Sequence, residues 1–267
     1  MITIKIGGSI VDGLHPSAVG DIAAVARGEG VVLVHGGGKE VTGMCGRLGV
    51  EPRFVTSPSG KRSRYTDAET AEIFTMVMAG RVNKGIVRML QEAGVNAVGV
   101  TGADARLMEA ERKGRLVIMN ERGRKQAIEG GYTGKVTSVN GGFLRMLLDG
   151  GYVPVVAPVA LGASHEFLNV DGDRAAAHVA GATKSDRIIF ITDVDGYLRD
   201  GATVPRIPAG EVMAERERAG PGMEKKLLAA AEALGMGVGE ALIANGGRAD
   251  PVSSALAHEG CTVVGGG

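Results

Sequence analysis

Short apolar runs alternate along the chain with longer segments whose apolar residues recur at helical spacing. The apolar runs are rich in Val and Ile, and they predict strands at residues 2–6, 31–34, 96–100, 153–157, 187–192, 241–244 and 262–264. The amphipathic segments predict helices at residues 16–26, 39–48, 67–93, 138–148, 171–180, 223–234 and 251–258. This alternation predicts an α/β fold, a three-layer αβα sandwich with a mostly parallel central sheet.

Two stretches, residues 53–65 and 115–135, interrupt the alternation. Both are rich in Lys, Arg, Gly and Ser and contain only short apolar runs. We interpret them as hairpins that lie over the edge of the sheet rather than as linkers. The motifs before and after residue 180 differ in kind. This difference predicts two lobes, residues 1–180 and 181–267, within one continuous sheet and a single structural domain.

Composition narrows the class of partner. Lys plus Arg and Asp plus Glu both number 30, so no overall field attracts nucleic acid or a membrane, and we predict neither as a partner. Aromatic residues make up only 3% of the chain, which argues against stacking platforms for single-stranded nucleic acid. No apolar run of about 18 residues is present to span a bilayer. Two separate cysteines, Cys45 and Cys261, suit a reducing compartment, and we predict a soluble cytoplasmic protein.

Glycine clusters follow two of the predicted strands. Lys5-Ile6-Gly7-Gly8-Ser9 ends the first strand, and His35-Gly36-Gly37-Gly38-Lys39 ends the second strand and opens a helix. Neither a GxxxxGK(S/T) phosphate loop nor a GxGxxG dinucleotide motif is present. Ligands of open α/β sheets bind at the carboxyl ends of strands, where bare glycine backbone can approach an anion closely. Two such clusters on one rim indicate an anion site, whereas His35 itself is interpreted as a structural hydrogen-bonding residue.

Four further motifs each leave a structural alternative open. Asn169-Val170-Asp171-Gly172-Asp173-Arg174 can cap a helix or hold cations, and Thr192-Asp193-Val194-Asp195-Gly196-Tyr197 can form a turn or contact a nucleotide. Gly220-Pro221-Gly222-Met223-Glu224-Lys225-Lys226 can present a solvated basic face or direct a lysine at a phosphoryl group. Residues 57–67 can form a solvated hairpin or bind a carboxylate through Arg62 and Arg64.

These motifs, in this order, resemble the amino-acid kinase family and, within it, the acetylglutamate kinase group. The matching residues are Lys5-x-Gly7-Gly8, His35-Gly36-Gly37-Gly38, Arg64-x-Thr66-Asp67, Asn169-Val170-x-x-Asp173, Thr192-Asp193-Val194-x-Gly196 and Gly222-Met223-x-x-Lys226. The resemblance implies the carbamate kinase-like fold and ATP-dependent phosphorylation of a carboxylate. It also implies that lobe 1–180 binds the amino acid and that lobe 181–267 binds the nucleotide.

A narrower resemblance concerns the acceptor. Residues 57–67, Gly131-Tyr132-Thr133-Gly134-Lys135 and Gly220-Pro221-Gly222-Met223 look like the branch of [LysW]-aminoadipate/[LysW]-glutamate kinases. Enzymes of that branch phosphorylate aminoadipate or glutamate whose amino group is attached to a small acidic carrier protein, LysW, in lysine or arginine biosynthesis. Basic residues would meet such a carrier: Lys61, Arg62, Arg122, Arg124, Lys125 and Lys135. The alternatives are a kinase of free N-acetylglutamate, a uridylate, carbamate or isopentenyl-phosphate kinase, and a non-catalytic amino-acid-binding regulator.

The resemblance also implies roles for single residues. Lys5 and Lys226 are expected to contact the phosphoryl group, with Asp173 orienting them. The expected substrate-binding residues are Gly36, Gly37, Gly38, Arg64 and Asn169. The expected ATP-binding residues are Gly7, Gly8, Ser9, Thr192, Asp193, Tyr197, Gly222 and Met223. Mg²⁺ is expected to bridge the ATP phosphates without a dedicated metal site in the protein.

Two departures from the family pattern and one assembly state complete the expectations. The family often has Asn where this chain has Asp171 and Gln where it has Arg174, so the effect of both residues stays open. Relatives are commonly homodimers paired through the helix after Asp67, and a homodimer is expected here.

Overall fold

A computed structural model of the chain describes residues 1–7, 14–58, 60 and 62–266. The strands of this part of the chain are β1 (Ile2–Ile6), β2 (Val31–His35), β3 (Phe54–Thr56), β4 (Arg62–Arg64), β5 (Ala97–Thr101), β6 (Met108–Arg112), β7 (Arg115–Met119), β8 (Lys125–Glu129), β9 (Gly134–Val139), β10 (Val153–Ala157), β11 (Val159–Leu161), β12 (Phe167–Asn169), β13 (Arg187–Thr192), β14 (Leu198–Arg199), β15 (Ala202–Thr203), β16 (Arg206–Ile207), β17 (Glu240–Asn245) and β18 (Cys261–Gly265). The α-helices are α1 (Ala18–Gly28), α2 (Gly38–Arg47), α3 (Ala68–Thr75), α4 (Asn83–Glu92), α5 (Gly141–Asp149), α6 (Gly172–Thr183), α7 (Val212–Arg218), α8 (Met223–Gly235) and α9 (Pro251–Leu256).

The central sheet of the described residues has eight strands in the order β16-β18-β17-β13-β1-β2-β10-β5. Neighbouring strands are parallel except for β17 and β18, which are antiparallel. Strand β1 pairs with both β2 and β13, so the sheet continues across residue 180. Strands β1, β2 and β10 are buried over their full length, which is typical of a parallel sheet covered on both faces.

Helices cover both faces of this sheet. Ile4 and Leu33 belong to one apolar core, which is completed by residues of α1, α2, α3, α4 and α9. Val32 and Phe190 belong to the other core, which is completed by residues of α5, α6, α7 and α8. Successive residues of a strand point to opposite faces, so one strand supplies both cores. The predicted three-layer αβα sandwich is confirmed.

All seven predicted strands are present, and their ends are displaced by at most one residue. The predicted helices are present as well, with larger differences at their ends. The helix predicted to begin at residue 138 begins at Gly141, because residues 138 and 139 belong to β9. The side chain of Asn140 accepts a hydrogen bond from the N–H of Phe143 at 3.1 Å, and this cap fixes the start of the helix.

The long helix predicted over residues 67–93 contains a π-helical segment, Met76–Val82, between α3 and α4. Met78 and Val82 of this segment lie against Gly37, where the Cβ of any larger residue would overlap the Met78 sulfur. Glycine at position 37 therefore allows this close approach, and a larger residue would require the Met78 side chain to move.

The two basic stretches form hairpins, as predicted. Strands β3 and β4 pair antiparallel, as do β7 and β8, and together they make a sheet in the order β4-β3-β7-β8. The second hairpin is shorter than expected, since it ends at Glu129 and Lys135 lies on β9. Strand β9 pairs antiparallel with β6, with a β-bulge between Glu109 and Ala110. These two strands belong to a separate small sheet in the order β12-β11-β6-β9.

Several elements were not predicted. They include this second small sheet, the two-stranded pair β14-β15, the edge strand β16 and helix α7. These elements are two to seven residues long and carry few consecutive apolar residues, so their periodicity is too weak to separate them from loops. None of the helices in the described ranges is long and apolar enough to cross a membrane.

Candidate active site

A buried carboxylate lies between two lysines at the carboxyl edge of the central sheet. Asp173 Oδ1 is 2.7 Å from Lys5 Nζ, and Asp173 Oδ2 is 3.4 Å from Lys226 Nζ. The side chains of Asp173 and Lys5 are each 8% exposed, and that of Lys226 is 13% exposed. Three residues taken from separate sequence motifs are thus brought into contact. We call this trio the Lys–Asp–Lys centre.

Each member of the centre is held by a different element. Lys5 lies near the end of β1, Asp173 lies in the first turn of α6, and Lys226 lies in the first turn of α8. Asp171 caps α6, because its side chain accepts the N–H groups of Asp173 and Arg174 at 3.0 and 3.2 Å. The cap is made by Asp171, so the carboxylate of Asp173 is free to face the lysines.

The protonation of Asp173 is set by two opposing effects. Burial would raise the pKa of its carboxyl group, but the charges and hydrogen bonds of Lys5 and Lys226 hold that pKa below its ordinary value. The carboxylate therefore stays ionised at neutral pH. Two ammonium groups share one negative charge, so the centre keeps a surplus positive charge for an anionic ligand.

His35 anchors the glycine loop that follows β2. Its Nδ1 lies 3.0 Å from the carbonyl oxygen of Gly36, and its Nε2 lies 3.2 Å from the side-chain nitrogen of Asn83. Burial lowers the pKa of His35 to about 4, so the ring is neutral at physiological pH. This is the structural hydrogen-bonding role predicted for it.

The glycine clusters differ in how many N–H groups they leave available. The N–H of Gly7 donates to Ile191 at 3.2 Å and that of Gly36 donates to Ile6 at 2.9 Å, so both extend the sheet. Binding of phosphate by the Gly7 amide stays a prediction, and it would have to replace or share the hydrogen bond to Ile191. Within the described ranges, the N–H groups of Gly37 and Gly38 have no protein acceptor, and they lie at the start of α2. Gly8 and Ser9, which were also predicted to bind ATP, lie outside the described residues.

A cleft of about 540 Å³ opens beside the Lys–Asp–Lys centre. It includes the glycine loop at Gly36, Gly37 and Gly38, and it includes Asn169 of β12. Its cationic lining residues are Arg62, Arg64, Lys113, Lys135, Arg174 and Lys225, whereas the lining carboxylate is Asp171. The cleft is thus strongly basic in a chain whose net charge is zero. We call it the acceptor cleft.

Arg64 and Asn169, which were predicted to bind substrate, both line this cleft. Arg64 Nη2 donates to the carbonyl oxygen of Gly38 at 2.8 Å and to Thr42 Oγ1 at 2.5 Å. Arg64 Nη1 is buried and has no hydrogen-bond partner in the described residues. Asn169 donates from Nδ2 to Thr66 Oγ1 at 3.0 Å. A buried guanidinium nitrogen without an acceptor is costly, and an anionic ligand in the cleft would supply that acceptor.

A second cavity, of about 400 Å³, lies on the other side of the centre. Its lining comes from the loop after β13 and from the start of α8, and includes Thr192, Asp193, Gly196, Tyr197, Gly220, Gly222, Met223 and Lys226. The five residues of this part of the chain that were predicted to contact ATP are therefore brought together, namely Thr192, Asp193, Tyr197, Gly222 and Met223. Lys226 belongs both to this cavity and to the Lys–Asp–Lys centre, and Gly172 and Arg174 of the acceptor cleft flank Asp173 in the chain, so the centre adjoins both cavities. We call the second cavity the nucleotide pocket.

A buried carboxylate on α7 connects this helix to the segment after β13 that lines the nucleotide pocket. Glu215 is 3% exposed, and its Oε2 accepts a hydrogen bond from the hydroxyl of Tyr197 at 2.8 Å. Its Oε1 accepts from Arg199 at 3.1 Å and from Arg218 at 2.8 Å. The hydrogen bond from Tyr197, together with these two guanidinium groups, holds the pKa of Glu215 below its ordinary value. Neither α7 nor this cluster was predicted, because Glu215 lies in a short, highly charged segment.

The two departures from the family pattern now have structural explanations. Asp171 is the cap of α6, and Lys225 Nζ lies 3.8 Å from it. Arg174 forms a bidentate ion pair with Glu232 of α8, with nitrogen–oxygen distances of 2.6 to 3.0 Å. Lys113 of the acceptor cleft was also missed, since a single lysine after a short strand carries no sequence signal. Within the described ranges, no three His, Cys, Asp or Glu side chains are grouped so that they could hold a metal ion.

The sequence matches the family model of the amino acid kinase family over residues 1–245. The chain belongs to the amino acid kinase family. Enzymes of this family use ATP, and the matched segment contains the Lys–Asp–Lys centre and both cavities.

Two curated relatives resemble this member of the amino acid kinase family over its whole length. A protein of Cenarchaeum symbiosum (strain A), which carries the provisional name [LysW]-aminoadipate/[LysW]-glutamate kinase, is 68% identical over 267 residues, and the match covers 100% of both chains. A [LysW]-aminoadipate/[LysW]-glutamate kinase of Saccharolobus islandicus (strain Y.N.15.51 / Yellowstone #2) is 44% identical over 267 residues, again with 100% of both chains covered. The resemblance to this branch that the motifs predicted is confirmed.

Solved structures share the fold. The protein smu.665 from Streptococcus mutans UA159 matches with a TM-score of 0.79 and 23% identity, over 100% of this chain and 98% of that one. The carbamate kinase of Giardia lamblia bound to AMP-PNP matches with a TM-score of 0.69 and 15% identity, over 100% and 98% of the two chains. These likenesses confirm the carbamate kinase-like αβα fold expected for the amino acid kinase family.

Proposed function

We propose that this chain transfers the γ-phosphoryl group of ATP to the side-chain carboxylate of L-2-aminoadipate or L-glutamate while the amino acid is linked to a small acidic carrier protein. The observation that carries the proposal is the position of the Lys–Asp–Lys centre between a nucleotide pocket and a strongly basic acceptor cleft. The names of the curated relatives support the carrier-linked acceptor.

The reaction makes an acyl phosphate without a general base. A carboxylate oxygen of the acceptor attacks the γ-phosphorus, the bond from that phosphorus to the β,γ-bridging oxygen breaks, and ADP leaves with the bond's electrons. A carboxylate with a pKa of about 4 is already ionised at neutral pH, so no proton has to be removed. Lys5 and Lys226 lower the repulsion between the two anions and stabilise charge on the transferring group. Asp173 keeps the two ammonium groups together.

Mg²⁺ enters the proposal as the partner of ATP. It would neutralise charge on the β- and γ-phosphates, which supply ligands of the hard oxygen type that Mg²⁺ prefers. Asp173 is held by two lysines, and Asp193 in the nucleotide pocket accepts a hydrogen bond from Thr192 at 3.2 Å. The described residues therefore offer single carboxylates near the phosphates rather than a cage. The protein's contribution is to orient the phosphates against the lysines.

The other predicted residues that line the two cavities are assigned binding roles in the proposal. Arg64 and Asn169 would hold the α-carboxylate of the amino acid, and the free N–H groups of Gly37 and Gly38 would hold oxygens at the reacting end. The nucleotide pocket would take the adenosine part of ATP. In this proposal lobe 1–180 binds the acceptor and lobe 181–267 binds the nucleotide.

The charge of the two hairpins supports a carrier protein as part of the acceptor. In the described residues, strands β3, β4, β7 and β8 and their turns carry the cations Arg53, Arg62, Arg64, Arg115, Arg122, Arg124 and Lys125 against the acids Glu121 and Glu129. The cations Lys113 and Lys135 extend this charge along the acceptor cleft. A single amino acid needs few of these charges, whereas an acidic protein surface would use many of them.

The proposal also includes an assembly state and a location. The homodimer expected from the resemblance would use the long helix after Asp67, where Met76 is 54% exposed. A cytoplasmic location suits the two free buried cysteines, Cys45 and Cys261.

Hydroxylamine trapping of the acyl phosphate tests the proposal. Purified protein with Mg-ATP is offered free N-acetylglutamate, carrier-linked glutamate or carrier-linked aminoadipate, and hydroxamate formation is followed. We expect turnover on at least one carrier-linked acceptor and a much higher kcat/KM than on the free compound. Turnover on free N-acetylglutamate alone would overturn the proposal that the acceptor is linked to a carrier protein. Turnover on none of the three would overturn the proposed acceptor class.

A pair of charge-reversal variants sharpens the same test. Arg122→Glu with Arg124→Glu changes the hairpin surface, and Arg88→Glu changes an exposed arginine on α4 as a control. The hairpin variant should raise the KM for a carrier-linked acceptor on the order of tenfold and leave the KM for ATP unchanged, whereas the control should change neither. Equal effects of both variants would show that the hairpins have no special role.

A further inference from the structure

The two arms of the Lys–Asp–Lys centre are held in different ways. Lys5 extends from a central strand that is paired on both sides, and its Nζ lies 2.7 Å from Asp173. Lys226 extends from α8, and its Nζ lies 3.4 Å from Asp173, which is on α6. The longer arm therefore depends on how these two helices are placed against each other.

The neighbouring helices α6 and α8 both bury many alanines. The two helices pack closely and side by side, and their buried residues include Ala175, Ala176, Ala177 and Ala180 on α6 and Ala229, Ala230 and Ala233 on α8. Gly181, near the end of α6, lies so close to Met236 that an added Cβ would be 2.7 Å from the Met236 Cβ. Small side chains allow this close approach. They interlock only weakly, so they do little to fix how far one helix is displaced along the axis of the other.

Besides the Asp173–Lys226 and Asp171–Lys225 ion pairs, a third polar contact joins the same two helices. Arg174 Nε lies 3.0 and 2.9 Å from the two carboxylate oxygens of Glu232, and Arg174 Nη2 lies 2.6 Å from Glu232 Oε1. The side chains are 26% and 23% exposed, so solvent competes less than it does at the surface. A bidentate guanidinium–carboxylate contact fixes both distance and orientation.

We propose that Arg174 and Glu232 form a positioning pair, which sets the placement of α8 against α6 and so holds Lys226 at the phosphoryl group. Arg174 follows Asp173 directly in the chain, and Glu232 lies on the helix that carries Lys226. A shift of α8 along α6 would change the reach of Lys226 but not that of Lys5. The inference rests on the proposed function, since it takes Lys226 to act on the transferring group.

Two single variants separate positioning from acceptor binding, because Arg174 also lines the acceptor cleft. Glu232→Gln raises the charge near the cleft by one, and Arg174→Gln lowers it by one. A positioning role predicts the same result for both, a fall in kcat of about tenfold with the KM for the acceptor within about twofold. A role in acceptor binding predicts opposite changes in acceptor KM. Arg174→Lys, which keeps the charge without the planar fork, should lie between wild type and Arg174→Gln.

A double-mutant cycle then tests whether the pair acts through Lys226. If it does, adding Glu232→Gln to Lys226→Met causes no further loss of kcat. Additive losses would overturn the proposal, as would a kcat for Glu232→Gln within twofold of wild type. The control is Arg88→Gln with Glu92→Gln, which removes an exposed ion pair of 3.7 Å on α4 and should leave kcat unchanged.

A second readout keeps this inference separate from the acceptor assignment. Lys226 lines the nucleotide pocket, so the same cycle can be measured as the Kd of Mg-ATP by calorimetry, without any acceptor. Coupled effects on the Kd support the positioning pair even if every proposed acceptor fails. Independent effects on the Kd, with normal turnover of a carrier-linked acceptor, overturn the pair and leave the proposed function in place.

Discussion

The acceptor cleft and the nucleotide pocket both adjoin the Lys–Asp–Lys centre, yet they differ in how far their charged side chains are paired within the protein. In the acceptor cleft, cations outnumber the lining carboxylate Asp171, and the buried Arg64 Nη1 has no acceptor in the described residues. Around the nucleotide pocket, Glu215 and Lys226 both have oppositely charged partners within the protein. Glu215 is bound by Tyr197, Arg199 and Arg218, and Lys226 is bound by Asp173.

This contrast separates two ways of recognising an anion. In the proposed function, the acceptor would supply the partner that the buried Arg64 Nη1 lacks in the described residues, so loss of this donor should weaken acceptor binding directly. The nucleotide pocket is lined largely by backbone, glycine and apolar side chains such as Val194 and Met223, so it recognises shape. Residues of the shared centre should affect the chemical step, and residues of each cavity should affect the KM of one substrate.

The largest effect is expected at the shared centre. Lys5→Met and Lys226→Met each remove an ammonium group that faces the transferring phosphoryl group, so kcat should fall by about 10²- to 10³-fold. The KM values for ATP and acceptor should change much less, because the charge is needed most in the transition state. Steady-state kinetics with hydroxylamine trapping measures both parameters.

Lys184→Met is the matched control for these variants. Lys184 is exposed at the opposite end of α6, so its loss should leave kcat unchanged. A large rise in the KM for ATP with kcat intact would remove Lys5 or Lys226 from the chemical step and make it a nucleotide-binding residue.

A smaller effect, confined to one substrate, is expected in the acceptor cleft. Arg64→Gln removes the buried Nη1 donor and its charge, so the KM for the acceptor should rise by about 10- to 100-fold while the KM for ATP stays constant. Arg64→Lys should recover only part of the loss, since an ammonium group cannot bind a carboxylate in a bidentate manner. The control is Arg106→Gln, which breaks an exposed ion pair with Glu109 outside the cleft. An unchanged acceptor KM for Arg64→Gln would end the assignment.

The same contrast explains what could be predicted from the sequence. Seven of the eight strands of the central sheet, all but the short edge strand β16, were found to within one residue, because buried strands are continuous apolar runs. The nucleotide pocket was predicted almost completely, since its lining comes from two contiguous segments around Thr192–Tyr197 and Gly220–Met223. The Lys–Asp–Lys trio could be named because each member belongs to a motif at the end of a strand or the start of a helix.

The acceptor cleft was predicted only in part for a physical reason. Its walls come from several short strands, whose pairing is decided by tertiary contacts rather than by local periodicity. Lys113 lies beside Asp171 and Lys225 only after β6 and β9 have paired, and nothing near Lys113 in the sequence signals this. The Arg174–Glu232 pair joins residues 58 positions apart, and sequence alone showed only that Arg174 departs from the family pattern.

The smallest effect is expected in the nucleotide pocket, at Glu215. In Glu215→Gln the side chain can still accept the hydrogen bond from Tyr197, but Arg199 and Arg218 lose their charged partner, so the loop and α7 are held less firmly. The KM for ATP should rise by about threefold to tenfold, while kcat and the acceptor KM stay constant. A changed acceptor KM would contradict the separation of the two cavities.

The dependence of thermal stability on pH gives an independent check on Glu215. Its pKa is held below the ordinary value in the folded protein, so its ionised form stabilises the fold at neutral pH. That contribution is fully present above the pKa of the unfolded state, about 4.3, and is lost as the pH falls through the lowered folded value. The Tm of wild type should therefore exceed that of Glu215→Gln most clearly near pH 7, and the difference should shrink below about pH 4. A constant difference across this range would mean that Glu215 holds the pocket by packing rather than by charge.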